Sequence, residues 1–252
     1  MAQVYTELSI LYNVESFIMT DTTTIPDRFS TIAIVRPVDT INSAHLDQLD
    51  RFLARGGNIF LAFNRVEGDF STALGRAMVT GLEEWLLQKG LNISDNFVID
   101  ASCGAVTVQQ QQSNFIMTSQ ISFPYFPVIS IFADNPVTKG LESVVLQFAS
   151  PIEYAGDTTR KFTPLAFTSE QSGTVRAPLY FDIQRQWTEN DFPMSAIAVA
   201  GIFEGKLSGD NVSRMVIISD GDFAVSGSRN QQLPQDNVSL MVNSIDWLSD
   251  DT

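Results

Sequence analysis

The sequence predicts an α/β chain, a three-layer sandwich whose mostly parallel sheet lies between helices, carrying a β-rich extension. Two observations predict the core. Short apolar runs, STIAIVRP at 30–37, NIFLAF at 58–63 and NFVID at 96–100, alternate with segments of helical period. The same alternation returns near the end, in SAIAVAGIF at 195–203 and RMVIIS at 214–219 followed by a helical pattern. Strands separated by helices imply βαβ units, hence parallel neighbours with right-handed crossovers. A third observation predicts the extension: residues 101–194 show no helical period.

The elements follow in order. Val4, Leu8 and Leu11 mark a first helix over 3–12, and NVESFIMT at 13–20 reads as a strand before the break at Pro26. After the strand at 30–37, Ser43 is the expected N-cap of a helix with Leu46, Leu49 and Leu53 on one side, stopped by Gly56-Gly57. NIFLAF is apolar on both faces, as a buried parallel strand requires. Leu74, Met78, Leu82 and Leu86 predict a third helix closed by Gly90, and 96–100 the next strand. Within 101–194, short strands are expected near 144–154, 162–168 and 178–183. After the last strand, DGDF at 220–223 forms a turn. Asp236 or Asn237 caps a final helix whose apolar face is Val238, Met241, Val242, Ile245 and Leu248. With no internal repeat and no Ser/Gly linker, residues 1–252 read as a single domain, its α/β core at 1–100 and 195–252 and its β-rich extension at 101–194.

Composition bounds the function. Hydrophobic residues are 44% and charged residues only 17%, which argues for a substantial core and against disorder. The net charge of −14 and the lack of a dense basic run disfavour nucleic acids and anionic lipid as partners. No stretch reaches the roughly 20 apolar residues of a spanning helix, and MAQVYTELSILY lacks the profile of a signal peptide. A lone cysteine, Cys103, rules out an internal disulfide and suits either the cytosol or a periplasm.

Few residues advertise chemistry. A nucleophilic site would have to use Cys103 and His45, the single thiol and single imidazole; Cys103 lacks a tight strand-to-helix elbow and reads as a small buried residue. Asp220 and Asp222 lie just past a strand end, where open α/β sheets bind ligands; they are the candidate ligand-binding pair. Against a cation held by their oxygens stands a plain Asx turn, with Gly221 supplying a positive φ. Phe123, Tyr125 and Phe126, stiffened by Pro124 and Pro127, are the candidate partner-binding surface, against the alternative of a loop packed over the sheet. Glu83 and Glu84 read as a solvated face. No GxGxxG or Walker A pattern is present, and neither a cofactor nor a metal is expected.

Several segments, in order, resemble one family. They are IAIVRPVDTINSAHLDQLDRFLARGGNIFLAFN at 32–64, LQKGLNISDNFVIDASCG at 87–104, FPYFPV at 123–128, NPVTKGLESVVLQFASPIEY at 135–154, FTPLAFTS at 162–169, RMVIISDGDF at 214–223 and NVSLMVNSIDWL at 237–248. Together they resemble the C-terminal extracytoplasmic region of gliding-motility-associated ABC-transporter auxiliary proteins, often labelled substrate-binding components. The resemblance implies a flavodoxin-like or class I glutamine-amidotransferase-like sandwich used as a scaffold without that chemistry, related also to a domain of an intraflagellar-transport protein. It implies a periplasmic location at the inner membrane, anchored by segments outside this chain, and a separate permease and ATPase as partners. The family's opening strand has no counterpart here, so a gap or open edge in the sheet is expected. The expected function is that of a non-catalytic module of an ABC transport complex, acting through protein–protein contacts. The alternative is a small-molecule or carbohydrate binding domain using the strand-end crevice.

Overall fold

The computed structural model describes residues 1–112, 115–225 and 232–250. Helix α1 (Ala2–Leu11) is followed by an extended segment, then by β1 (Thr31–Val35), α2 (Ser43–Ala54) and β2 (Asn58–Ala62). A run of short elements comes next: β3 (Val66–Asp69), β4 (Leu74–Ala77), α3 (Leu82–Leu87), β5 (Leu91–Ile93) and β6 (Asn96–Asp100). Two long strands, β7 (Cys103–Gln112) and β8 (Phe115–Ile129), precede β9 (Ile131–Phe132), β10 (Val144–Val145), β11 (Ile152–Tyr154) and β12 (Arg160–Phe167). The chain ends with β13 (Ser172–Arg176), β14 (Leu179–Tyr180), β15 (Ala198–Gly205), β16 (Ser213–Ile218) and α4 (Gln235–Ser249).

The principal sheet has six strands in the order β1-β2-β16-β15-β12-β9. Residue alternation along its middle strands sends side chains to two cores. Phe60, Ala62, Val216 and Ile218 face Val238, Met241, Ile245 and Leu248 of α4, with Val4 and Leu8 of α1 joining them. On the other face Ile59, Leu61, Met215 and Ile217 meet Leu49, Phe52 and Leu53 of α2 and Leu82 and Leu86 of α3. A third, aromatic core serves the small sheets. In it Phe97 meets Tyr125, Phe148 and Phe181 edge to face, with ring centroids 5.7–5.8 Å apart.

The mostly parallel, flavodoxin-like sandwich is not what forms. Within the principal sheet only β1, β2 and β16 run parallel; β15, β12 and β9 are antiparallel to their neighbours. The remaining strands form four small antiparallel sheets, β10-β8-β7, β11-β5, β13-β6 and β14-β4-β3. Chain length explains the reversal of β15 against β16. A parallel connection needs a dozen or more residues, and residues 206–212 between β15 and β16 suffice only for a hairpin. No gap divides the parallel strands, since β2 pairs in unbroken register with β1 on one side and β16 on the other; among the described residues β1 has no second neighbour and forms an open edge.

Several local expectations are corrected. Residues 13–20 form no strand; Val14 packs on the α4-side core and Met19 on the α2-side core, so the segment passes between layers. The Leu74–Leu86 periodicity is two elements, not one helix. Leu74–Ala77 pairs with β3 and β14, and Gly81, at φ +88°, breaks the chain before α3. A β-carbon on Gly75 would come within 2.7 Å of the Phe97 ring, so this strand passes close over the aromatic core. Asn42, not Ser43, caps α2, its side chain accepting from the His45 amide at 2.9 Å. Gly56 closes α2 at φ +91°, as its position implies.

Phe97→Ala is expected to lower stability by about 3–5 kcal/mol, read as a fall in the urea midpoint, because a ring wedged among other rings leaves a cavity. Phe70→Ala is expected to cost less than half as much, since Phe70 touches the same cluster from a half-exposed position.

Candidate functional site

The three parallel strands end together, and each delivers a polar residue to the same place. After β1 comes Arg36, after β2 and Phe63 comes Asn64, and after β16 and Ser219 comes Asp220. Arg36 adopts the left-handed conformation, φ 52°, held by its amide donating to the Ala62 carbonyl at 2.8 Å. Such a backbone costs a β-carbon-bearing residue on the order of 1 kcal/mol. The turn aims the guanidinium at Asp222, with Arg36 Nε 2.5 Å from Asp222 Oδ1. Asn64 Nδ2 donates to Asp222 Oδ2 at 2.6 Å, and the Gly221 amide donates to Asn64 Oδ1 at 2.5 Å.

Asp220 is fully buried. Its Oδ2 accepts from the Gln147 amide at 2.6 Å and its Oδ1 from the Asp222 amide at 2.7 Å, the second being the expected Asx turn. Burial pushes its carboxyl up to about 8; the backbone amide of Gln147 pulls the other way, and the neighbouring Asp222 charge adds to the rise. Gly221 does not supply the positive φ expected of it. It is required for space, because a β-carbon there would lie 2.9 Å from Arg36 Cα.

The neighbouring segment is tied to the same corner. Asp236 Oδ2 accepts from the Glu142 and Ser143 amides, both at 2.8 Å, and the Asn237 side chain bonds both polar backbone groups of Val145 and the Phe223 carbonyl. Asp236 and Asn237 therefore hold this segment instead of capping α4, whose N-cap, Pro234, makes no side-chain cap.

Both members of the candidate ligand-binding pair thus have their oxygens engaged by the chain itself. Among the described residues, no group of three or more His, Cys, Asp or Glu side chains is placed to hold a metal ion. Two shallow depressions, of about 420 and 240 Å³, are lined by residues of 101–102 with 169–171 and by residues of 24–55; neither includes Arg36, Asn64, Asp220 or Asp222.

The candidate partner-binding aromatics are placed differently from expectation. Phe123 and Tyr125 are each only 4% exposed, packed against Phe97, Phe148 and Phe181, so they are core side chains and not a contact surface; Phe126 is partly buried against the same cluster. Cys103 and His45 sit in different surroundings. The thiol is pushed up by burial despite a hydrogen bond from the Phe123 backbone, opposite to an activated nucleophile. His45 Nε2 lies 3.3 Å from Asp21. Sequence reading missed Arg36, Asn64 and Gln147. For the first two a signal existed: each is the first polar residue after an apolar parallel strand.

The raised Asp220 carboxyl sets a pH dependence. An unfolded carboxyl ionises in the ordinary range near 3.8 and the folded one only near 8, so the folded state holds the extra proton between them. Stability from this group is full below the ordinary range and is lost as pH climbs through about 8. Urea titrations from pH 5 to 9 should show wild-type stability falling relative to Asp220→Asn; equal slopes would count against a proton held at Asp220.

The solved structure of the "mmIFT52 N-terminal domain" is similar in fold, with a TM-score of 0.61 at 12% identity over 99% of this chain and 91% of that one. That likeness concerns fold alone and replaces the flavodoxin-like expectation. No curated protein matches the chain. A family model described as "ABC-type uncharacterized transport system" matches residues 1–247, and the chain belongs to that family of ABC-transport auxiliary components.

Proposed function

We propose that this chain is a non-catalytic module of an ABC transport complex of the gliding-motility-associated kind. In this reading it lies on the extracytoplasmic face of the inner membrane, anchored by segments outside these residues, and works by protein–protein contact with a complex of permease and ATPase subunits. Family membership supports the transport setting. One observation carries the contact mode: the crevice beyond the parallel strands is filled by the chain's own groups. Asp222 is taken by Arg36 and Asn64, Asp220 by backbone amides, and Gly221 lies against the Arg36 backbone. A small ligand at that crevice would find both carboxylates already bonded, with the half-exposed Arg36 guanidinium itself held by Asp222.

The surface offers contact area instead. Ile10, Leu11, Phe17 and Ile18 are all exposed in the N-terminal segment, with Ile18 at 81% and Ile10 at 76%. Large apolar side chains gathered within one stretch suit a protein partner better than water. No helix among the described residues is long and apolar enough to cross a membrane.

The test is affinity capture of the full-length protein from detergent-solubilised membranes of its host. Co-purification of permease and ATPase subunits, weakened several-fold by Ile10→Asp/Ile18→Asp, is the expected result. Recovery of a bound small molecule without transporter subunits would favour a ligand-binding role and overturn the proposal.

A further inference from the structure

The long hairpin of β7 and β8 has an unusual combination of properties. From Ala101 to Ala133 the chain has no charged residue, its longest such stretch, although the whole carries a net charge of −14. The ladder runs from Ala105 opposite Ser122 out to Gln112 opposite Phe115. At about 3.4 Å per residue this is an arm of roughly 24 Å.

Along this arm both edges are open. Among the described residues the second neighbours of β8, β10 and the following residues 146–148, reach it only between Tyr125 and Ile129, at the base of the arm, and β7 has none. Ala105, Thr107 and Gln109 on β7, and Met117, Thr118, Ser119, Gln120 and Ser122 on β8, are exposed. A two-stranded ribbon with solvent on its outer groups is marginal in water. Sheet edges exposed to solvent are ordinarily protected by charge, proline or a bulge; here the charge is missing throughout, and the register irregularity and Pro124 and Pro127 lie at the base.

We propose that the arm pairs edge to edge with the arm of a second copy, joining two hairpins into one sheet across a two-fold axis. Charge selects this occupant. Two bodies of net charge −14 repel, and the arm is the part through which copies can meet without opposing like charges. An uncharged edge equally gives no attraction for a basic partner, whereas an identical arm matches it in length, polarity and open hydrogen-bonding groups. Closed two-fold pairing is also the commonest form of self-assembly. The inference is independent of the transport reading, and either stands without the other.

The test is sedimentation velocity on the purified chain at about 0.05 and 0.5 M salt. The expected result is a species of twice the 27.8 kDa chain mass, favoured at high salt because screening weakens the repulsion between the bodies. Thr107→Lys/Gln109→Lys charges one edge of the arm and Thr118→Lys/Gln120→Lys the other. At least one variant should be a monomer, with a circular dichroism spectrum like the wild type to show that it folds. A wild-type monomer at both salts overturns the proposal, as does a dimer that survives both variants. Monomeric wild type that binds neutral phosphatidylcholine vesicles, with binding lost in the variants, would assign the arm to a bilayer and likewise overturn it.

Discussion

Burying polar groups at the ends of the parallel strands is the constraint on which the rest of this molecule depends. Beyond β2 and β16, Asn64, Ser219 and Asp220 leave water, and each group needs a partner, while Arg36 beyond β1 stays half exposed and reaches in to Asp222. The chain meets that need internally. Arg36 turns left-handed to reach Asp222, Asn64 bonds Asp222 and the Gly221 amide, and Asp220 accepts from Gln147. Asp220 thereby joins the sheet to the segment before β11, which Asp236 and Asn237 fix from the start of α4. One polar corner therefore sets the mutual positions of the central sheet, the last helix and the path into the smaller sheets.

That closure bears on how the strand ends can be used. Open α/β sheets ordinarily place ligands beyond the strand ends, and here the carboxylates at that place, Asp220 and Asp222, are bonded to the chain's own groups. The chain belongs to a family of ABC-transport auxiliary components. The exposed apolar residues of the N-terminal segment and the uncharged β7–β8 arm are two surface features that stand apart from the net acidic character of the chain.

Legibility from sequence follows the range of the forces involved. Elements fixed by local signals were readable. Gly56 stops α2, NFVID is β6 with its boundaries intact, and the Val238–Leu248 face buries as its period implies. Properties fixed by pairing were not. Nothing in SAIAVAGIF or FTPLAF states strand direction; the short link over 206–212 does so for β15 against β16, while β12 and β9 take theirs from pairing across long connections. The spacing of Leu74, Met78, Leu82 and Leu86 imitates one helix, yet contact with Phe97 and the break at Gly81 divide it. At the candidate site the Asp220-x-Asp222 turn was visible, but its partners come from residues 36, 64 and 147, which only the fold brings near. The aromatic run at 123–126 was conspicuous for its composition, and burial explains it as core.

The central claim is that the strand-end corner is a fixed, self-satisfied part of the core. Native-state amide hydrogen exchange, resolved by residue, tests it most directly. The account predicts that the amides of Gln147, Gly221 and Asp222 exchange as slowly as those of Phe60 and Ile217 inside the sheet, by global unfolding alone. Exchange of these three at the rate of exposed loops, with Phe60 and Ile217 still protected, would mean that the corner opens on its own and would contradict the claim.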